Sequence, residues 1–315
     1  MEAIDSCDLC GSKRQKPFEC TSGADMVIVR LMGGLGNQMF QYAAGRAVAH
    51  RNRMQLKLDV SALERDAARS YRLHHFNIVE SIATPDEVAR FTKRDLWSRI
   101  SRRVERYLLP PYRRSVFAQR FDHFDPDMLR VRGNVYLVGY WQSEKYFKDI
   151  EHIIRQDFTI QDAPDPESQK LARIIADTNS VSLHIRRGDY VSNPRFFRKF
   201  GVCSLEYYRS AVAEVAERVQ DPHFFIFSDD IDWARDNLRL QYPAIFVAHN
   251  NADKDYEDLR LMSLCRHHIV ANSSFSWWGA WLCTNPEKIV MAPKKWFKEP
   301  DRDTRDLIPD SWHRI

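Results

Sequence analysis

A short apolar run from Met26 to Leu31, interrupted only by Arg30, stops at Met32-Gly33-Gly34-Leu35-Gly36-Asn37, and apolar residues resume at helical spacing as Met39, Phe40, Ala43, Ala47 and Val48. Such a short run bounded by turn residues reads as a strand covered on both faces, and the later spacing as a helix. Met54-Gln55-Leu56-Lys57-Leu58-Asp59-Val60 then alternates as a half-buried strand. Residues 26 to 60 therefore predict strand, Gly-rich turn, helix and strand, the opening of a doubly wound α/β domain. Residues 134 to 141 predict another strand, and a helix begins near Gln142 with Ser143 as its N-cap and runs through Ile154. Residues 161 to 167 turn polar and carry Pro164 and Pro166, a linker signal that divides the chain into domains 26–162 and 163–315. In the second domain, strands at 181–185, 224–227, 244–247 and 269–271 alternate with helices at 205–219, near Trp233, at 256–265 and at 277–282.

Residues 86 to 109 stand apart, because their pattern predicts one long and strongly basic helix. Leu96, Trp97, Ile100, Val104, Tyr107 and Leu108 fall on one face, with Arg99, Arg102, Arg103 and Arg106 off it, and Pro110-Pro111 ends it. The plain reading is a helix that packs by its apolar stripe and turns its arginines to solvent. The alternative is peripheral contact with an anionic membrane surface.

Composition narrows the class. A chain of 315 residues with 44% hydrophobic and 29% charged residues is globular and long enough for two ordinary cores. A net charge of +4 is too small to argue for nucleic acid and suits an anionic small substrate as well. Absence of a long apolar stretch and of a signal-peptide pattern points to the cytosol. The cysteines lack regular spacing, so no disulfide framework is expected; Cys7, Cys10 and Cys20 resemble part of a zinc knuckle without a fourth ligand, and residues 1 to 25 read as a mobile leader.

Three turns carry candidate chemistry. Val181-Ser182-Leu183-His184-Ile185-Arg186-Arg187-Gly188-Asp189-Tyr190 delivers two guanidiniums to the C-terminal end of a strand, where open α/β sheets bind ligands, and Gly188 permits close approach to an anion. Phe227-Ser228-Asp229-Asp230 places two carboxylates at the end of the next strand, able to bind a divalent metal, cap the following helix or accept from a guanine. Asn272-Ser273-Ser274-Phe275 opens a helix with hydroxyls and amides suited to an anion, facing Arg186 across a phosphate; Trp277 and Trp278 read as core. Gly34 and Gly36, followed by Asp59 at the next strand end, partly match a dinucleotide fingerprint, but the third glycine would fall at Met39. A nicotinamide oxidoreductase is thus one rival reading, and a catalytically silent sugar-nucleotide binder another.

Taken in order, Gly33-Gly34-Leu35-Gly36-Asn37-Gln38-Met39-Phe40-Gln41-Tyr42, Gly139-Tyr140-Trp141-Gln142-Ser143, His184-Ile185-Arg186-Arg187-Gly188-Asp189-Tyr190, Phe227-Ser228-Asp229-Asp230 and the run from Asn272 to Leu282 resemble the α-1,2-fucosyltransferases of glycosyltransferase family 11, over about residues 26 to 297. The resemblance implies a GT-B architecture, two Rossmann-like domains facing across a cleft, with a galactose-terminated glycan held mainly by the first and GDP-β-L-fucose by the second. It implies inverting transfer to the galactose 2-hydroxyl, with GDP-fucose as donor and neither cofactor nor metal. Arg186 matches the first arginine of a His-x-Arg-Arg motif that meets the β-phosphate, which leaves Arg187 as a support paired with Asp189. His184 and Asp230 resemble nucleotide ligands, with Asp230 on guanine. Ser273 and Ser274 resemble pyrophosphate ligands, and Asn272, Phe275, Gly34 and Gly36 line the same donor site. Asn37 matches a functional cleft asparagine of related protein O-fucosyltransferases. The general base is not identified; Asp189 is one candidate. Oligomeric state is not readable.

Overall fold

Val27, Ile28 and Val29 have no solvent exposure, as a strand covered on both faces requires. They form β1 (Met26–Arg30), an inner strand of a four-stranded parallel sheet completed by β2 (Gln55–Asp59), β3 (Val116–Ala118) and β4 (Val135–Val138) in the order β2-β1-β4-β3. The computed structural model describes residues 25–93 and 95–315, so Cys7, Cys10, Cys20 and the leader before Asp25 lie outside the described residues. Helix α1 (Leu35–Asn52) covers one face of this sheet, and α2 (Pro85–Thr92) covers the other by packing Phe91 against Ile28 and Tyr136. Thr84 and Glu87 form a reciprocal capping box at the start of α2.

Helix α3 (Leu96–Leu108) follows, and α4 (Glu151–Asp157) and α5 (Pro166–Asp177) lead into a second sheet. Its strands are β5 (Asn179–Ile185), β6 (Pro222–Ser228), β7 (Ala244–Phe246), β8 (His267–Ile269), β9 (Val290–Ala292) and β10 (His313–Arg314), all parallel, in the order β10-β9-β8-β5-β6-β7. The chain winds outward from β5 to β7, then restarts beside β5 at β8. That reversal opens a crevice beyond the C-terminal ends of β5 and β8, where doubly wound sheets bind ligands. Between these strands come α6 (Gly188–Ser192), α7 (Pro194–Lys199), α8 (Leu205–Arg218), α9 (Ile231–Asn237), α10 (Asp255–Leu264) and α11 (Ser274–Leu282). Tyr208, Val212 and Val215 of α8 cover one face of the sheet, and Leu171, Ile175, Leu261 and Met262 of α5 and α10 the other.

Several expectations need correction. The single basic helix is two, because the backbone turns extended at Lys93. Arg102 of α3 reaches back to the free carbonyls at the end of α2, donating to Phe91 O (2.6 Å) and to Lys93 O, which satisfies the orphan acceptors a helix end leaves. The apolar stripe of α3 does not pack: Trp97, Tyr107 and Leu108 are 79, 76 and 75% exposed. The side chain of Leu96 lies outside the described residues. Ser143 caps a single 3-10 turn, Glu144–Tyr146, and a second such turn precedes α4, so the helix expected from Gln142 begins later. The polar stretch read wholly as linker ends in α5, which starts with Asp165 as N-cap and Pro166 in its first turn.

Candidate active site

Parallel pairing of β5 with β6 sets Ile185 beside Ser228, so the residues just past the two strand ends, Arg186 and Asp229, arrive level with each other. Arg186 Nη1 meets Asp229 Oδ2 at 2.9 Å, and its Nη2 donates to Asp189 Oδ1 at 2.5 Å. Burial works against the guanidinium charge, but Asp229 and Asp189 outweigh it and hold the Arg186 pKa above its ordinary value. The second oxygen of Asp229 accepts from the Arg187 backbone N–H at 2.8 Å. Gly188 makes this possible: a Cβ there would stand 2.3 Å from Asp229 Oδ2. The anion that Gly188 lets close is the protein's own.

The expected pairing of Arg187 with Asp189 is therefore replaced. Arg187 donates through Nε to Asp230 Oδ2 at 3.0 Å and stacks over Trp233, with 3.7 Å from its guanidinium carbon to the ring centroid. Asp230 Oδ1 caps α9 by accepting from Trp233 N, so both carboxylate oxygens expected on guanine have partners within the protein. Each acid of the Asp229-Asp230 pair answers its own arginine. Among the described residues no group of three or more His, Cys, Asp or Glu is arranged to hold a metal ion.

Asp189 has a further partner that nothing in the sequence pattern suggested, Arg69 from the polar loop after β2, which donates to its Oδ2. Arg69 also stands over the Gly33-Gly34 turn, within 3.8 Å of where a Gly34 Cβ would project. Asn37 lies one turn into α1 with its Oδ1 accepting from Gln142 Nε2 at 2.8 Å, which joins the loops that follow β1 and β4. Gln38 is structural, donating to Gly33 O and Ser70 O and accepting from Arg72 N. Gly36 differs from its expected role as a donor ligand. A Cβ there would sit 2.5 Å from Ser274 C and Phe275 N, so its bareness lets the start of α1 touch the start of α11.

On the other side of that contact, Ser273 caps α11 by accepting from Phe275 N, Ser274 is part-exposed at the helix start, and Phe275 lies against His184 with ring centroids 5.6 Å apart. Asn272 is not free to bind a ligand. It is buried, donates to Phe200 O (3.0 Å) and Trp296 O (3.2 Å), and accepts from Cys203 Sγ. His184 is almost wholly buried, and desolvation, reinforced by Arg186, lowers its pKa to about 3, so the ring is neutral at working pH. Its Nδ1 has no protein partner among the described residues. An unpaired polar atom in such a place is costly and calls for a partner.

Asp258 and Asn250 also escaped the sequence reading. Asp258 on α10 accepts from Asn250 Nδ2 at 2.8 Å; burial, and then the nearby Asp255 and Glu257, push its pKa up to about 7, while Asn250 Oδ1 is buried without a partner. A perturbed carboxyl beside an unsatisfied amide is a candidate feature that no spacing rule exposes. Asp59, the ribose acid of a dinucleotide reading, is buried and bonded to Tyr136 Oη (2.5 Å) and Ser61 N. That withdraws the acid the nicotinamide reading needs.

The sequence model described as "Glycosyl transferase family 11" matches residues 10–315. An Escherichia coli protein named alpha-1,2-colitosyltransferase is 34% identical over 92% of this chain and 99% of its own length. The Escherichia coli O-antigen biosynthesis glycosyltransferase WbnK is 34% identical over 90% of this chain and 98% of its own length. Galactoside alpha-(1,2)-fucosyltransferase 2 of Hylobates lar is 26% identical over 85% of this chain and 71% of its own length.

Proposed function

Because the chain belongs to glycosyl transferase family 11, we propose that it transfers L-fucose from GDP-β-L-fucose to the 2-hydroxyl of a terminal β-galactoside, with inversion and without a metal. In this reading the lobes 26–162 and 163–315 face each other in the GT-B manner, and the donor occupies the crevice beyond β5 and β8. The observation that carries it is Arg186, fixed between Asp189 and Asp229 at the mouth of that crevice, two residues beyond His184, whose ring lies against Phe275 of α11. A guanidinium has more N–H groups than those two bonds use. The remainder stay available to the β-phosphate as negative charge builds on it, and a donor already oriented needs no reorganisation in the transition state.

Ser273 and Ser274 would support the pyrophosphate, and the free nitrogen of His184 would bind the nucleoside side of the donor. Asn37, on the opposite lip, would orient the acceptor hydroxyl. Asp189 has one oxygen on Arg69 and the other on Arg186, so both are engaged within the protein rather than turned to an acceptor hydroxyl. It serves as the support of Arg186 and Arg69. A second reading is favoured by one observation: a relative 34% identical carries a colitosyl name, so the donor sugar is the part to test beside the nucleotide.

The test is turnover of GDP-fucose and of GDP-linked deoxy sugars with lactose and other galactosides, followed by linkage assignment. Fucose on O2 of galactose is expected; product at another position, or none with any GDP-sugar, overturns the reading. Arg186→Ala should lower kcat by about 10² to 10³, the usual loss for one transition-state donor of ~2.7–4 kcal/mol. Activity should survive EDTA.

A further inference from the structure

Helix α3 is amphipathic with its polar side turned inward. Arg102 caps α2 from that side, and Glu105 Oε2 accepts from Ser115 N (3.0 Å) and Ser115 Oγ (2.8 Å). Arg114 fixes the far end by donating to Leu109 O and Arg106 O, each at 3.0 Å. The helix is therefore bonded down by its polar face, and its apolar stripe cannot be the side that seeks the adjoining sheet. Trp97, Ile100, Val104, Tyr107 and Leu108 follow one another along the outward side, none less than 45% exposed, and Ile100, Arg103, Val104, Tyr107 and Leu108 line a shallow depression there.

The charge around the stripe is predominantly positive, with Asp95 exposed just ahead of the helix. Arg99, Arg103 and Arg106 are exposed along one edge, Arg90, Lys93 and Arg113 are exposed nearby, and Glu105, the one acid of α3, faces inward. A second copy of this chain docking through the same face about a twofold axis would set these arginines against one another. We propose that α3 is a membrane-surface helix that seats this stripe among the headgroups of an anionic lipid bilayer, with the arginines on lipid phosphates. At 13 residues it is about 20 Å long, too short to span and suited to lying in the plane. Trp97 and Tyr107 are the side-chain types that settle at headgroup level. The basic residues add roughly fivefold in affinity each near an anionic surface, screened by salt.

The experiment is flotation of the full chain with phosphatidylcholine vesicles, with and without phosphatidylglycerol, at low and high salt. Binding is expected to the phosphatidylglycerol vesicles only and to weaken with salt. A Trp97→Ser/Tyr107→Ser variant and an Arg99→Glu/Arg103→Glu/Arg106→Glu variant should each bind at least tenfold more weakly, with unchanged thermal midpoint and circular dichroism. Failure of the unaltered chain to bind, binding by either variant as strong as that of the unaltered chain, or indifference to phosphatidylglycerol overturns the proposal. So does a dimer, seen by sedimentation without lipid, that the same substitutions dissolve. None of these readouts depends on which sugar the protein transfers.

Discussion

Gly188 shows how much of a site can rest on one missing methyl group, since any side chain there would occupy the position of Asp229 Oδ2 and release Arg186 from one of its two carboxylates. The sequence made Arg186, Gly188 and the acid pair visible as a cluster, because arginines at a strand end and glycine after them have few other uses. It could not assign partners. Which carboxylate meets which guanidinium depends on the β5–β6 register, and Arg69 arrives from a loop with no periodicity at all. Asp258 was equally invisible, because its unusual state comes from burial and neighbours rather than spacing. Its folded pKa, about 7, exceeds the ordinary Asp value, so the folded chain holds this proton more tightly than the unfolded chain does. The resulting stability is complete below the unfolded value and is lost as pH rises through the folded one, by at most about 1.4 kcal/mol per pH unit. Asp258→Asn should therefore unfold at a higher temperature than the unaltered chain near ~pH 8 and show little difference near ~pH 4, as differential scanning fluorimetry across pH would read.

At the scale of elements, parallel strands were legible because burial on both faces makes them continuous apolar runs. β3, β9 and β10 were missed because runs of two or three residues carry no period. α5 was hidden by its own start signal: Asp165-Pro166 reads as a break, and it is also how a helix begins. For α3 the pattern identified the apolar side correctly but could not say which side the protein uses. The inward bonds decide that, and Arg102 is the chief of them. Arg102→Ala should lower stability by about 1–2 kcal/mol, the worth of charged hydrogen bonds to one part-buried and one exposed carbonyl, and hydrogen exchange should quicken across residues 85 to 108 while β5 and β6 stay protected.

For the whole molecule, two sheets do not mean two separate cores. Trp277, Trp278 and Trp281 of α11 pack with Phe40 and Phe147 in the cluster that also holds β1 and β4. Their ring nitrogens donate to Leu307 O, Gly36 O and Glu144 Oε2. Arg155, which donates to Leu282 O and stacks on Trp281, Arg72 on Asp255 and Lys145 on Asp306 add polar ties between the same halves. Calorimetry should accordingly show one cooperative transition, and Trp278→Ala should lower it as a unit, by ~3–5 kcal/mol for a large aromatic removed from a close-packed core. Two separated transitions would contradict this account.

The touching starts of α1 and α11 have a practical consequence for recombining relatives of this chain. A chimera that takes its donor half from another sequence, joined at the polar stretch 161–167, would graft a foreign α11 onto a native α1. The junction then has to preserve an interface with no room even for a methyl group at Gly36, and a tryptophan hydrogen bond to that same residue. Grafts that carry residues 33 to 42 together with 272 to 282 keep both surfaces matched. Exchange of either segment alone would sort recombinants by whether they fold before any difference in sugar preference could be measured.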